Sequence, residues 1–175
     1  MKKIIVTVVL ILISNTFFAQ SVFDKYEGQE SISSIIVNKK MFQMMSSVKV
    51  DANDKETQQY LNLLKKLDVL KVFTTANTKA ATDMKLTADM YWKVAGMSEI
   101  KNSSDYGKNL RIWIKSGETE GQIKEILMYN ENANNVNQTV LMNLTGNFNL
   151  NEISVLIDKM KIPGGNELKK ATKGK

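Results

Sequence analysis

Close to Gly96 the apolar period of this chain changes from 3.6 residues towards 2, and that change limits the folds open to it. Before it, Tyr60, Leu63, Leu64 and Leu67 make one buried stripe of a helix over residues 55–66. Ala80, Met84, Ala88 and Tyr91 make a second stripe over 76–96, with Ala81 and Met90 widening it and Gly96 as the stop. After it, Leu110, Ile112 and Ile114 alternate with Arg111, Trp113 and Lys115. A turn over 116–121 and a returning strand over 122–130 make this a hairpin. The Asn-rich run 130–135 turns the chain into a further strand over 136–145.

The remaining elements fit the same plan. Phe23 and Tyr26 stand at i, i+3 in a short helical turn or loop, where both can pack inward. Ile32, Ile35, Ile36 and Val37 are β-branched and predict a strand running into a short helix over 39–45. Asn53 or Asp54 is placed to cap the helix that follows, residues 69–75 read as a strand, and 97–102 as a weak one. Ile153, Leu156, Ile157 and Met160 predict an amphipathic helix over 150–160, capped by Asn149 or Asn151. Pro163-Gly164-Gly165 ends it, since proline cannot continue the hydrogen-bond ladder. Together these predict a single α+β domain, mostly antiparallel sheet with helices packed on one face. That layering buries Leu110, Ile112 and Ile114 and leaves Arg111 and Lys115 in water, with Trp113 as the exception.

The two ends read differently from the body. Residues 1–19 have Lys2 and Lys3, an apolar run from Ile4 to Ile13 and a small residue at Ala19, the pattern of an export signal cleaved before Gln20. A membrane-spanning helix needs roughly 20 apolar residues, about twice this run. Cysteine is absent, so no disulfide and no lipid-bearing cysteine is expected, and packing alone must hold the fold. The chain carries 24 basic against 18 acidic side chains. Two of the bases lie in the signal and five, against Glu167 alone, in residues 161–175, so the body from 20 to 160 is neutral. The expected organisation is a signal over 1–19, one domain over 20–162 and a disordered lysine-rich tail over 163–175.

Three stretches carry a family likeness: SISSIIVNKKMFQMM, LKKLDVLKVFTT and TVLMNLTGNFNLNEISVLIDKM. In that order they resemble the DUF4252 family of exported proteins from the Bacteroidetes. The resemblance covers most of residues 22–160, and its motifs are strand-to-helix joins, a strand ending in glycine and an amphipathic last helix. It implies architecture and compartment and carries no assigned activity. Members of the family often have a lipobox cysteine after the signal, and this chain departs from that pattern.

Side-chain chemistry narrows the function classes. Histidine is absent along with cysteine, which removes the commonest general base, transition-metal ligand and soft nucleophile. No catalytic residue, metal or cofactor is expected. Ser98-Glu99-Ile100-Lys101 matches S-x-x-K, but the companion S-D-N and K-T-G elements are missing, so it reads as polar strand. Residues 51–56 begin like a calcium loop, yet Lys55 stands where a ligand belongs and Glu56 where the turn glycine belongs. Glu118 and Glu120 sit on a hairpin tip open to water. Nucleic acid is not expected as a partner, because the bases do not gather on one face and Arg111 is the only arginine.

What remains is recognition by contact. If the hairpin keeps an open face, Trp113, Arg111 and Tyr129 form a binding strip there; otherwise further chain, for example residues 22–30, covers it. Nine methionines follow the signal and could make an adaptable binding surface, with Met41, Met44 and Met45 in a cluster, but most of the nine read as core filler. The expected function is a non-catalytic accessory or interaction domain, periplasmic or secreted, whose partner is an envelope protein or ligand the sequence does not name. The alternative is a small-ligand or lipid carrier with an apolar cavity between helices and sheet. The terminal lysines add a weak contact with anionic surfaces, and no transmembrane segment is expected.

Overall fold

The computed structural model describes residues 22–51, 53–101, 110–133 and 138–172. The proposed signal and cleavage point, the last three residues of the tail and part of the Asn-rich turn lie outside them. Six strands form one antiparallel sheet: β1 (Ser33–Asn38), β2 (Leu67–Thr75), β3 (Ser98–Lys101), β4 (Leu110–Ser116), β5 (Gln122–Ala133) and β6 (Gln138–Asn149). Their spatial order is β1-β2-β6-β5-β4-β3. Five helices accompany them: α1 (Lys39–Ser46), α2 (Lys55–Leu64), α3 (Thr78–Val94), α4 (Ile153–Met160) and α5 (Gly165–Thr172). The α+β class, the hairpin and the element order are as the periodicity predicts. Among the described residues no helix is long and apolar enough to cross a membrane.

Asx side chains start the first three helices. Asn38, Asp54 and Asn77 each accept the backbone N–H three residues on, at 3.0 Å, and so satisfy a donor the helix itself cannot. The turn at 51–54 is thus a cap, as expected. Before α4, Asn149 and Glu152 form a reciprocal capping box around a 3₁₀ turn at 150–152.

The helices cover both faces of the sheet, not one. On the first face Leu70, Val72, Ile112, Ile126, Met128, Met142 and Leu144 pack under Phe42 of α1, Leu61 and Leu64 of α2, and Leu156 and Ile157 of α4. On the second, Phe73, Trp113, Leu127, Tyr129 and Leu141 pack under Met84, Ala88 and Tyr91 of α3, with Phe23, Tyr26 and Ile32 beside them. Connectivity explains this. The helix between β2 and β3 must cross four strand spacings, about 19 Å at 4.7–4.9 Å each. A helix of 17 residues is about 25 Å long, so α3 spans the sheet, and the first face is already taken by the other helices.

The C-terminal segment also differs from expectation. Residues 165–172 form α5 instead of a disordered tail, with Leu168 and Ala171 buried in the first-face core. The break at Pro163 is real, but Lys161 turns left-handed at φ 52° and Gly164 at φ 69°, which folds the chain back. Gly165 then approaches Ile157 so closely that a Cβ would lie 2.6 Å from its Cγ2. Lys169 bridges to Asp158 of α4. Two apolar residues three apart are enough to dock a short helix, and the five lysines masked them.

Candidate functional site

Arg111, Trp113 and Tyr129 do come together, but beneath a helix. Trp113 is fully buried, its ring stacked on Trp92 of α3 at 6.1 Å and 12° between planes. The Arg111 guanidinium lies 4.6 Å from the centre of the Trp113 ring and donates from Nη1 to Asp89 of α3 at 2.5 Å and from Nε to Glu99 of β3 at 3.1 Å. Lys93 stands 5.6 Å over Trp92. The result is a cluster of two stacked indoles and two cations that fastens the C-terminal half of α3 to the sheet. Tyr129 fastens the other half: its hydroxyl donates to Glu131 at 3.0 Å and reaches the carbonyl of Ala81 at 3.4 Å. There is no open aromatic strip here, and the covered reading of this face holds.

The N-terminal segment completes the cover as the Phe23/Tyr26 spacing predicts. Both are 1% exposed. Phe23 meets Tyr91 edge-on at 4.8 Å and Tyr26 meets Phe73 at 5.4 Å, while the Tyr26 hydroxyl bonds the Thr87 hydroxyl at 2.7 Å. Beneath them a polar lane crosses the sheet. Lys71 of β2 pairs with Asp24 and with Glu27, the latter at 2.9 Å. Buried Glu125 accepts from the Tyr91 hydroxyl at 2.7 Å and from Asn143 Nδ2 at 2.6 Å. Burial, then the Glu125 charge and hydrogen bond, push the Tyr91 phenol well above its ordinary pKa, so it stays a donor. Every group in this lane is occupied with a neighbour, which makes it a structural lane: among the described residues no group of acids, histidines or cysteines is arranged to hold a metal.

Electrostatics give the segment a pH window. Burial pushes the Lys71 pKa down, but the bonds and charges of Asp24 and Glu27 outweigh it and the net shift is upward. Its stabilising effect is therefore full below the ordinary lysine value of about 10.4 and is lost as pH rises through the elevated one. The Asp83 carboxyl is depressed, chiefly by its bond to Lys25 at 2.7 Å. Its contribution is present above the ordinary value of about 3.9 and lost as pH falls through the depressed one. Protection of the amides of residues 22–32, taken relative to their intrinsic exchange rates, should thus be flat from about pH 5 to 9 and fall outside both limits. The acid-side loss should stay below about 1 kcal/mol, because Asp83 is half exposed.

With one side of α3 fastened, the other is presented to solvent. Leu86, Met90 and Val94, at i, i+4, i+8, are 56%, 63% and 81% exposed. Met90 was expected to widen the buried face and instead lies outside it. The buried stripe is narrower than the alternation of Ala and Met implies, because Trp92 and Ala81 take the flank next to the sheet. On the first face Met41 and Met44 of α1 are 43% and 65% exposed and Val48 60%, so these methionines are not core filler. Exposure of neighbouring apolar residues has no sequence signature beyond surplus apolar positions on a helix whose buried stripe is already complete. Ser98 and Lys101 lie on the short edge strand β3; Glu118 is exposed at the hairpin tip, paired with Lys124 at 3.0 Å.

The architecture can be set beside known proteins. A family model described as a domain of unknown function (DUF4252) matches residues 26–156, from Tyr26 under α3 to the second turn of α4. No curated protein and no solved structure matches the chain. A match over that much of its length shows that the chain belongs to the DUF4252 family.

Proposed function

We propose that this protein is a non-catalytic interaction module of the bacterial envelope that engages a protein partner through the outer side of α3. One observation carries the reading: the Leu86–Met90–Val94 line stays in water on a helix whose opposite side is fixed by the stack of half-buried Trp92 on buried Trp113. An apolar line held rigid in this way loses little conformational freedom on binding, which favours contact surfaces of this kind. The want of histidine and cysteine supports the same reading, since contact needs neither. The export signal and the family likeness support the envelope as its place. The carrier alternative needs an apolar void between helices and sheet. The hollow at Asn62, Lys66 and Glu152 puts amides and charges in its walls, which suits water better than an acyl chain, while the one at Ile114, Ile123 and Leu150 is mainly apolar but opens to solvent beside the hairpin tip.

Photo-crosslinking in the native host tests it. A crosslinking residue at Met90 should give one discrete adduct, one at Lys124 on the hairpin should not, and Leu86→Asp should abolish the Met90 adduct while the circular dichroism spectrum is kept. No adduct at Met90, or the same adduct at both positions, overturns the reading.

A further inference from the structure

The sheet has two edges, and the fold treats them differently. Edge strand β3 has four residues, carries Glu99 and Lys101, and breaks register between those two positions. Glu99 is further tied to Arg111. Short length, charge and a register break are the devices by which proteins stop an edge from pairing with another chain. Edge strand β1 has none of them. Its six residues, Ser-Ser-Ile-Ile-Val-Asn, pair with β2 from Ser33↔Thr74 to Asn38↔Val69 without a shift. It contains no charge and no proline. Ser33, Ser34 and Ile35 are exposed, Ile35 to 44%. A β-branched strand of this kind is a ready template for one more strand.

We propose that β1 pairs antiparallel with β1 of a second copy of this chain, joining the two six-stranded sheets into one continuous sheet across a two-fold axis. The choice of occupant rests on self-complementarity. A two-fold axis normal to the sheet preserves its faces, and residues opposite one another across antiparallel strands share a face. The pairing therefore places each residue opposite one an even number of positions away, and a register centred on Ile35 satisfies this. Ile35 then meets Ile35, Ser34 meets Ile36 and Ser33 meets Val37. Beyond the strand the register no longer applies, since Glu30 lies in the turn closed by Ile32 N–H to the Gln29 carbonyl and Lys40 in the first turn of α1. The antiparallel arrangement still sets the acidic N-terminal end of each strand beside the basic C-terminal end of the other. Glu30 and Lys40 are both exposed, and no ion pair within the chain occupies either of them among the described residues. The strand thus has opposite charges at its two ends, and the symmetry uses each of them twice. A foreign extended peptide would satisfy the same backbone groups but would meet both end charges only by coincidence.

Helix α1 adds to the surface. It follows β1 without a break, and its exposed Met41 and Met44 supply adaptable apolar area next in sequence to the strand. Pairing of one strand with these flanks makes a modest interface, so the expected dimer forms at micromolar concentration and not at nanomolar. This inference is independent of the α3 reading, since it uses a different element and a different partner, and either can fail alone.

Sedimentation velocity of the purified protein over a concentration series decides it. The protein should dimerise in the micromolar range, and Ile35→Lys should raise the dissociation constant at least about tenfold with an unchanged melting temperature. Should Ile35→Lys fail to fold, charge exchange decides instead: Glu30→Lys alone and Lys40→Glu alone each weaken the dimer, and the two together restore it. A protein that stays monomeric throughout the micromolar range overturns the proposal, and so does capture of a foreign strand by such a monomer. A dimer indifferent to Ile35→Lys and to both exchanges overturns it equally.

Discussion

Replacing Trp113 by alanine should cost about 3–5 kcal/mol, the usual range for a large aromatic removed from a packed core. Trp113 is fully buried and its ring touches both Trp92 and the Arg111 guanidinium. The loss is not confined to one cavity, because the stack is the fastening of the C-terminal half of α3. For a domain of this size each kcal/mol lowers the melting temperature by about 2–4 °C, so a fall of about 10 °C is expected by scanning calorimetry. Trp113→Phe should cost less than half as much. Phenylalanine keeps most of the volume and removes an indole N–H that has no partner among the described residues and is therefore paid for without return. If Trp113→Ala leaves the melting temperature within 2–3 °C of the parent, the stack does not hold α3 down.

A second large effect should follow from one methyl group at Gly146. A Cβ there would lie 2.5 Å from the carbonyl oxygen of Lys66 and 2.9 Å from the Cα of Leu67. Both are backbone atoms at the mouth of β2, and Asn147 N–H bonds the same Lys66 oxygen at 2.8 Å. Backbone cannot swing aside as a side chain can, so Gly146→Ala should reach or exceed the 1–3 kcal/mol typical of overpacking. Gly117 provides the contrast. Its added Cβ would meet Gln122 Cγ and Oε1 at 2.7 Å, which can rotate away at the loss of two hairpin-tip bonds, and Gln122 Cβ at 2.9 Å, which yields only if the exposed hairpin tip shifts. A turn open to water shifts more cheaply than backbone between two central strands, so Gly117→Ala should cost less than Gly146→Ala. Urea denaturation of the two variants side by side measures the difference, and equal midpoints would refute the argument.

Local elements were legible wherever one physical signal decided them. The caps expected before α2 and α4 are found at Asp54 and Asn149, where a side-chain acceptor must precede free N–H groups, and the Leu110–Ile114 alternation marks the first-face core residues of β4; the caps at Asn38 and Asn77 were not anticipated. The Phe23/Tyr26 spacing fixed the one part of the N-terminal segment that packs. Layering was less legible, because it depends on connection length across the sheet and not on any residue. Alternation states that two faces exist and leaves open whether the second is wet. Trp113 was the one clue that it is dry, since an indole between Arg111 and Lys115 has no reason to face water. Three residues chosen as binders turned out to fasten a helix, and the exposed line they set in place lay on a position, Met90, assigned to the core. Lys161–Lys175 show the reverse error: charge concealed Leu168 and Ala171, whose burial orders α5.

The last strand made is a central one. β6, residues 138–149, lies between β2 and β5, which are separated from each other in every shorter version of the chain. A nascent polypeptide emerging from its amino end can close the β1–β2 and β4–β5 pairs, yet it holds two unconnected ribbons until its final fifth or so is synthesised. Non-local pairings of this sort are slow to form. The six-stranded sheet can consequently be completed only once that closing segment has been made, however early the flanking pairs form.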